Sequence, residues 1–145
     1  CFPGETDQDF AETLNIVTQV SYAAAYSFKY SPRPGTPAAD IAAQVPEEVK
    51  SQRLAMLQDL LNAQQEAFNH ATKGRRLSVL MERAGRVEGQ LVGRSPYMQA
   101  VHVEAPQRLI GKIVDIDVTY AGANSISGTV VTHALSHTPP QTQAA

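Results

Sequence analysis

Past Gly74 the chain breaks into five short runs of alternating apolar and polar residues with turn formers between them, at 76–81, 89–94, 98–103, 113–118 and 127–131. This pattern limits the fold more than any other feature. Period-two alternation turns one side of each strand toward a core and the other toward water, so all five runs must share one small core. A domain of this size buries only about 60% of its chain surface and tolerates open sheet edges poorly. The pattern therefore predicts a closed or nearly closed five-stranded antiparallel β-barrel of the OB-like kind.

The preceding residues follow a different rhythm. Phe2-Pro3-Gly4-Glu5-Thr6 reads as a tight loop, and Thr6 with Asp9 three positions on is an N-cap signal for a helix to about Val20, with Phe10, Leu14 and Val17 on one face. Tyr26, Phe28 and Tyr30 then alternate with smaller or polar residues, which predicts a strand over 24–30. Loop, helix and strand in that order fit the end of an α/β repeat, where turns after the strands carry function. Three prolines and Gly35 in 31–38 break regular structure. Pro46 suits a first helical position, and Glu47 and Glu48 suit the positive end of a helix dipole. Val49, Leu54, Leu57, Leu60, Leu61 and Phe68 continue that helix over about 23 residues, or about 34 Å, enough to bridge two modules.

Charge separates the same two regions. Up to Asn69 there are four basic residues against nine acidic ones; from His70 onward there are eight against five. Opposite signs suggest modules with different partners, and the basic β module suits RNA. Lys73, Arg75, Arg76, Arg94, Arg108 and Lys112 are its candidates for phosphate contact, each releasing counterions on binding. The bland alternative is ordinary solvated charge. Tyr97 can stack on a base or ribose, or serve as a core tyrosine at a strand start.

Other classes of function are disfavoured. No apolar run reaches the roughly 18 residues that span a bilayer, and no signal-peptide pattern opens the chain, which points to the cytoplasm and away from membranes. Cys1, the sole cysteine, can make neither an internal disulfide nor a zinc or iron–sulfur site by itself. A first residue other than methionine leads us to expect a fragment. His133 and His137 have helical ligand spacing but sit in a polar tail without cysteine or carboxylate nearby, so no metal site is assigned; His70 and His102 read as packing or hydrogen-bonding residues.

Three strings together carry a family resemblance: Phe2-Pro3-Gly4-Glu5-Thr6-Asp7, the stretch from Ser27-Phe28-Lys29-Tyr30 through Ser31-Pro32-Arg33-Pro34-Gly35-Thr36-Pro37-Ala38, and Gly93-Arg94-Ser95-Pro96-Tyr97-Met98-Gln99-Ala100-Val101-His102-Val103. In this order they resemble the carboxy-terminal part of the MiaB-type tRNA methylthiotransferases. The resemblance implies a radical-SAM enzyme that uses S-adenosylmethionine and two [4Fe-4S] clusters to methylthiolate an isopentenyl-modified adenosine beside the anticodon. It further implies an α+β chain: residues 1–45 as the remnant of a radical-SAM α/β barrel, 46–70 as a linker helix, 71–133 as a TRAM domain that binds tRNA, and 134–145 as a disordered tail. The family's Cys-x-x-x-Cys-x-x-Cys motif is missing, and Cys1 stands where the family usually has glycine, so neither a cluster ligand nor a catalytic residue is assigned.

Through the third string, Ser95 joins Arg94 and Tyr97 in the expected RNA-binding set. Tyr30, Ser31 and Arg33, at the end of the presumed barrel strand, are expected to meet substrate at the barrel mouth, with Arg33 seating the anticodon loop. The competing reading is that this loop only seals the barrel. The implied partner is the anticodon stem-loop of tRNA, bound by a monomer. Two alternatives are a free-standing RNA-binding module and the sister enzymes that methylthiolate a ribosomal protein; the latter tend to be more acidic where this chain has Pro32-Arg33-Pro34.

Overall fold

A computed structural model describes residues 1–131. Two helices, α1 (Asp7–Val20) and α2 (Glu47–Thr72), precede five strands: β1 (Arg76–Ala84), β2 (Gln90–Arg94), β3 (Ala100–Glu104), β4 (Ile113–Ala121) and β5 (Ser125–Val130). The fold is α+β, and the strands close into a barrel in the order β1-β2-β3-β5-β4.

Local chemistry sets the helix ends. The Asp9 N–H donates to Thr6 Oγ1 at 3.2 Å, and the Asp9 carboxylate accepts from the Thr6 N–H at 2.8 Å, a reciprocal cap. The bonds from Thr6 hold the Asp9 carboxyl below the usual range. Phe10 and Val17 are the buried side of α1. They face α2, whose buried Arg53 lies over the Phe10 ring at 5.5 Å and reaches Glu5 at 3.0 Å and Asp7 at 2.7 Å. Pro46 is the N-cap of α2 and not its first helical residue, and the helix runs 26 residues to Thr72, somewhat past the expected end. Its length is about 39 Å.

Two expectations are corrected. Residues 24–30 form no strand and join no ladder, with Tyr26 91% and Phe28 84% exposed. Alternation prepares a segment for a sheet, but a strand exists only where a neighbour takes its backbone hydrogen bonds, and none lies alongside among the described residues. Nor is the barrel wholly antiparallel. β3 runs parallel to β5, while β1–β2, β1–β4, β2–β3 and β4–β5 are antiparallel. The reason is topological: directions cannot alternate all the way around a ring with an odd number of strands.

The core follows the alternation. Val79, Met81, Leu91, Val101, Ile116 and Ile126 are wholly enclosed. Strands crowd closest at Gly128, where an added Cβ would overlap the Asp117 carbonyl oxygen and stand 2.7 Å from Ile116 Cγ2. The expected tail and the pair His133 and His137 lie outside the described residues. Among the described residues no helix is long and apolar enough to cross a membrane.

Gly128→Ala is expected to destabilise the protein by about 1–3 kcal/mol through overpacking. Gly122→Ala, whose Cβ would meet nothing nearer than 3.4 Å, should be close to neutral. Thermal melts of the two variants compare them directly, and equal midpoints would contradict the packing shown.

Candidate nucleic-acid interface

The last turns of α2 place the helix against one end of the barrel. Asn69 and Thr72 are buried there on the stripe continued from Leu61, so polar side chains occupy core positions and need partners. The Asn69 amide donates to the carbonyls of Gly122 and Ala123, both at 2.9 Å, and its Oδ1 accepts from Gln99 Nε2 at 2.8 Å. Gln99 Oε1 accepts from the Ser95 hydroxyl at 3.0 Å, and Ser95 Oγ in turn accepts the N–H groups of Tyr97 and Gln99 at 3.2 Å each. Helix α2, the turn between β2 and β3, and the turn between β4 and β5 are thereby one hydrogen-bonded unit. Sequence reasoning passed over Asn69 and Gln99. Their signal was a pair of polar residues, Asn69 and Thr72, continuing an apolar helical stripe.

The expected RNA-binding residues divide on this frame. Ser95 is buried, its hydroxyl used within the turn, so it shapes the surface instead of lying on it. Tyr97 is 42% exposed and meets Phe68 of α2 edge-on at 5.3 Å. Lys73 and Arg75 are exposed at the same junction and have no ion pair among the described residues. Arg76 is already neutralised, donating from Nε at 2.7 Å and Nη2 at 2.9 Å to the two Asp117 oxygens across β1 and β4. That pairing holds the Asp117 carboxyl below its usual range. Arg94 lies 3.4 Å from Glu82. Arg108 and Lys112 occupy the β3–β4 connection, toward the opposite end of the ladder that pairs Arg76 with Asp117 and Leu80 with Ile113. Four rungs separate those ends by about 14 Å. The six cations thus do not make a single patch.

Tyr30, Ser31 and Arg33 do come together, lining a cleft of about 570 Å³ with Phe2, Phe28 and Lys29. Tyr30 meets the Phe2 ring edge-on at 5.9 Å and lies under Lys50 Nζ at 5.5 Å, while its buried hydroxyl has no hydrogen-bond partner among the described residues. Lys29 pairs with Glu47 and lowers the Glu47 carboxyl by that hydrogen bond. Arg33 is exposed. Among the described residues no three His, Cys, Asp or Glu side chains converge on a point that could hold a metal ion. With one thiol in the chain, the residues present do not fit an iron–sulfur cluster.

Residues 70–131 match the family of the TRAM domain. This part of the chain is similar to the TRAM domain. The chain is also similar to three proteins named tRNA-2-methylthio-N(6)-dimethylallyladenosine synthase. Identity is 57% to that of Sphingopyxis alaskensis over 86% of this chain, 55% to that of Maricaulis maris over 89%, and 51% to that of Rickettsia felis over 90%. The aligned part is 28–29% of each relative, so the chain spans less than a third of their length. The similarity to these relatives accordingly extends along most of the chain.

Asn69→Ala should take the side-chain donor from the Gly122 carbonyl and the 2.8 Å acceptor from the Gln99 amide, while Ala123 keeps the Gln65 amide, at a cost of about 1–3 kcal/mol, with faster hydrogen exchange in the last turn of α2. Unchanged exchange there would contradict the junction described. A second outcome follows from the lowered Asp117 carboxyl. Its ion pair adds stability above the normal carboxylate range and loses it as pH falls through the depressed value. Urea unfolding at several pH values should therefore show Asp117→Asn less stable than the parent at neutral pH, with the difference closing in strong acid.

Proposed function

We propose that this chain is the RNA-holding part of an enzyme that methylthiolates isopentenyl-modified adenosine next to the anticodon of tRNA. The observation that carries this reading is the junction end of the TRAM domain. An exposed aromatic ring, Tyr97, packs on Phe68 of α2, and two exposed cations without ion pairs among the described residues, Lys73 and Arg75, follow the end of that helix, which buried amides hold in place. Aromatic faces stack on unpaired bases and cations follow the phosphate backbone, which suits a stem-loop. The relatives' names favour tRNA over a ribosomal protein as the substrate.

On this reading residues 1–45 are the end of the catalytic barrel, and the exposed rings of Tyr26 and Phe28 await the strand that would lie beside them. Tyr30, Ser31 and Arg33 then edge the barrel mouth, where Arg33 meets the anticodon loop. S-adenosylmethionine and two [4Fe-4S] clusters supply the chemistry in the intact enzyme, from ligands outside this chain. The protein acts as a monomer in the cytoplasm. This chain's own task is to bind and orient tRNA.

Filter binding of an anticodon stem-loop to the chain at 50 and 200 mM salt tests the reading. Affinity should fall steeply with salt, and Lys73→Ala with Arg75→Ala should reduce the slope of log K against log salt by about 1.4–1.8, on the basis of about 0.7–0.9 per phosphate contact. Affinity indifferent to salt would overturn it.

A further inference from the structure

A second cleft lies on the side of the barrel, and none of the residues expected to bind RNA lines it. It measures about 310 Å³ and is lined by Arg83, Arg86, Gln90, His102, Asn124 and Ser125, among others. Its floor is the outer face of β2 and β3, where Val92 pairs with His102 and Ala100 pairs with Ser125 of β5. One wall is basic. Register shifts between Met81 and Arg83, a bulge that sets Arg83 opposite Val92, and Arg86 follows in the turn after β1. The other wall is the β4–β5 turn, held from behind by Asn69 and by Gln65, whose amide donates to the Ala123 carbonyl at 3.0 Å and to Asn124 Oδ1 at 3.2 Å.

The lining offers donors and lacks counter-charge. Neither Arg83 nor Arg86 has an ion pair among the described residues, and Arg83 reaches only its neighbour's carbonyl, at 3.4 Å. With Asn124 Oδ1 already accepting from Gln65, the Asn124 amide hydrogens remain to donate. No carboxylate lines this cleft. Glu88 and Glu104 line the adjoining depression, which shares Gln90 and His102, so the sign of charge changes across the middle of the face. An anionic, acceptor-rich ligand would be held on the arginine side and repelled beyond it.

We propose that this cleft binds one nucleotide of the RNA, its phosphate between Arg83 and Arg86 and its base or ribose against His102 and Asn124. The inference rests on the RNA-binding reading above and adds the face over which the strand runs. A volume near 310 Å³ suits one nucleotide and not a helical stem. Position favours a continuing strand over a free mononucleotide: Ala100 follows directly on the turn that carries Tyr97, and His102 lies about 7 Å further along β3. RNA leaving Tyr97 would cross the face toward the two arginines.

The test measures fluorescence anisotropy of a labelled anticodon stem-loop on the full chain, for the parent, R83Q/R86Q, H102A and K73A/R75A, each checked for an unchanged melting midpoint. R83Q/R86Q should weaken binding by about tenfold and reduce the salt slope by about 1.4–1.8, as for two lost phosphate contacts. H102A should weaken binding several-fold with the salt slope kept. Adenosine monophosphate in large excess should fail to displace the stem-loop; full displacement from the parent but not from R83Q/R86Q would overturn the strand path in favour of a mononucleotide site. Parent-like binding by R83Q/R86Q beside weakened K73A/R75A would overturn this inference and leave the RNA reading intact. No binding by the parent to any RNA would overturn both.

Discussion

The side-chain amide of Asn69 holds two loops and a helix at once, and most of the molecule's spatial arrangement depends on it. Buried at 2% exposure, it has no water to fall back on, so the two turn carbonyls and Gln99 are obligatory partners. Because those partners come from the β4–β5 turn and from the end of the β2–β3 turn, α2 cannot swing without breaking bonds in two loops. A network in which every member is satisfied makes a stiff joint where an apolar contact would permit sliding. The exposed ring of Tyr97 and the wall at Asn124 both derive their positions from it.

The barrel supplies the complementary constraint. Five strands close on one core, and closure removes the exposed edges that so small a domain could ill tolerate. An odd ring requires one parallel pair, and that pair, β3 with β5, lies under the side face that His102 and Ser125 both line. Close approach at Gly93 and Gly128 lets β2 and β5 cross their neighbours without side-chain overlap. The topology that closes the barrel thus also creates an outer surface that a purely antiparallel sheet would not have.

Electrostatics then select among the cations. Arg76 is taken by Asp117, Arg94 lies beside Glu82, Lys29 pairs with Glu47, and Arg53 is buried between Glu5 and Asp7. Among residues 70–131, what remains for a phosphate is Lys73 and Arg75 at the junction, Arg108 and Lys112 at the far end, and Arg83 and Arg86 on the side. A modest basic excess is therefore spread in small groups over three parts of the surface, which suits a clamp along a backbone better than a reader of base edges.

Strand alternation after Gly74, the Thr6–Asp9 cap and the long helix after Pro46 were legible in the chain because each depends on neighbours a few residues apart. The three strings carried the family for the same reason: they are local. The stretch at 24–30 looked like a strand, since alternation is local too, but its pairing partner is not, and no ladder forms. Ser95 looked like a surface contact until the turn enclosed it, and Arg76 looked unpaired until β4 brought Asp117 across. By itself the sequence determined that these strands, caps and helices form. Tertiary structure alone decided which polar groups are spent inside and which cations stay open, because that depends on how turns close and on partners up to 58 positions away.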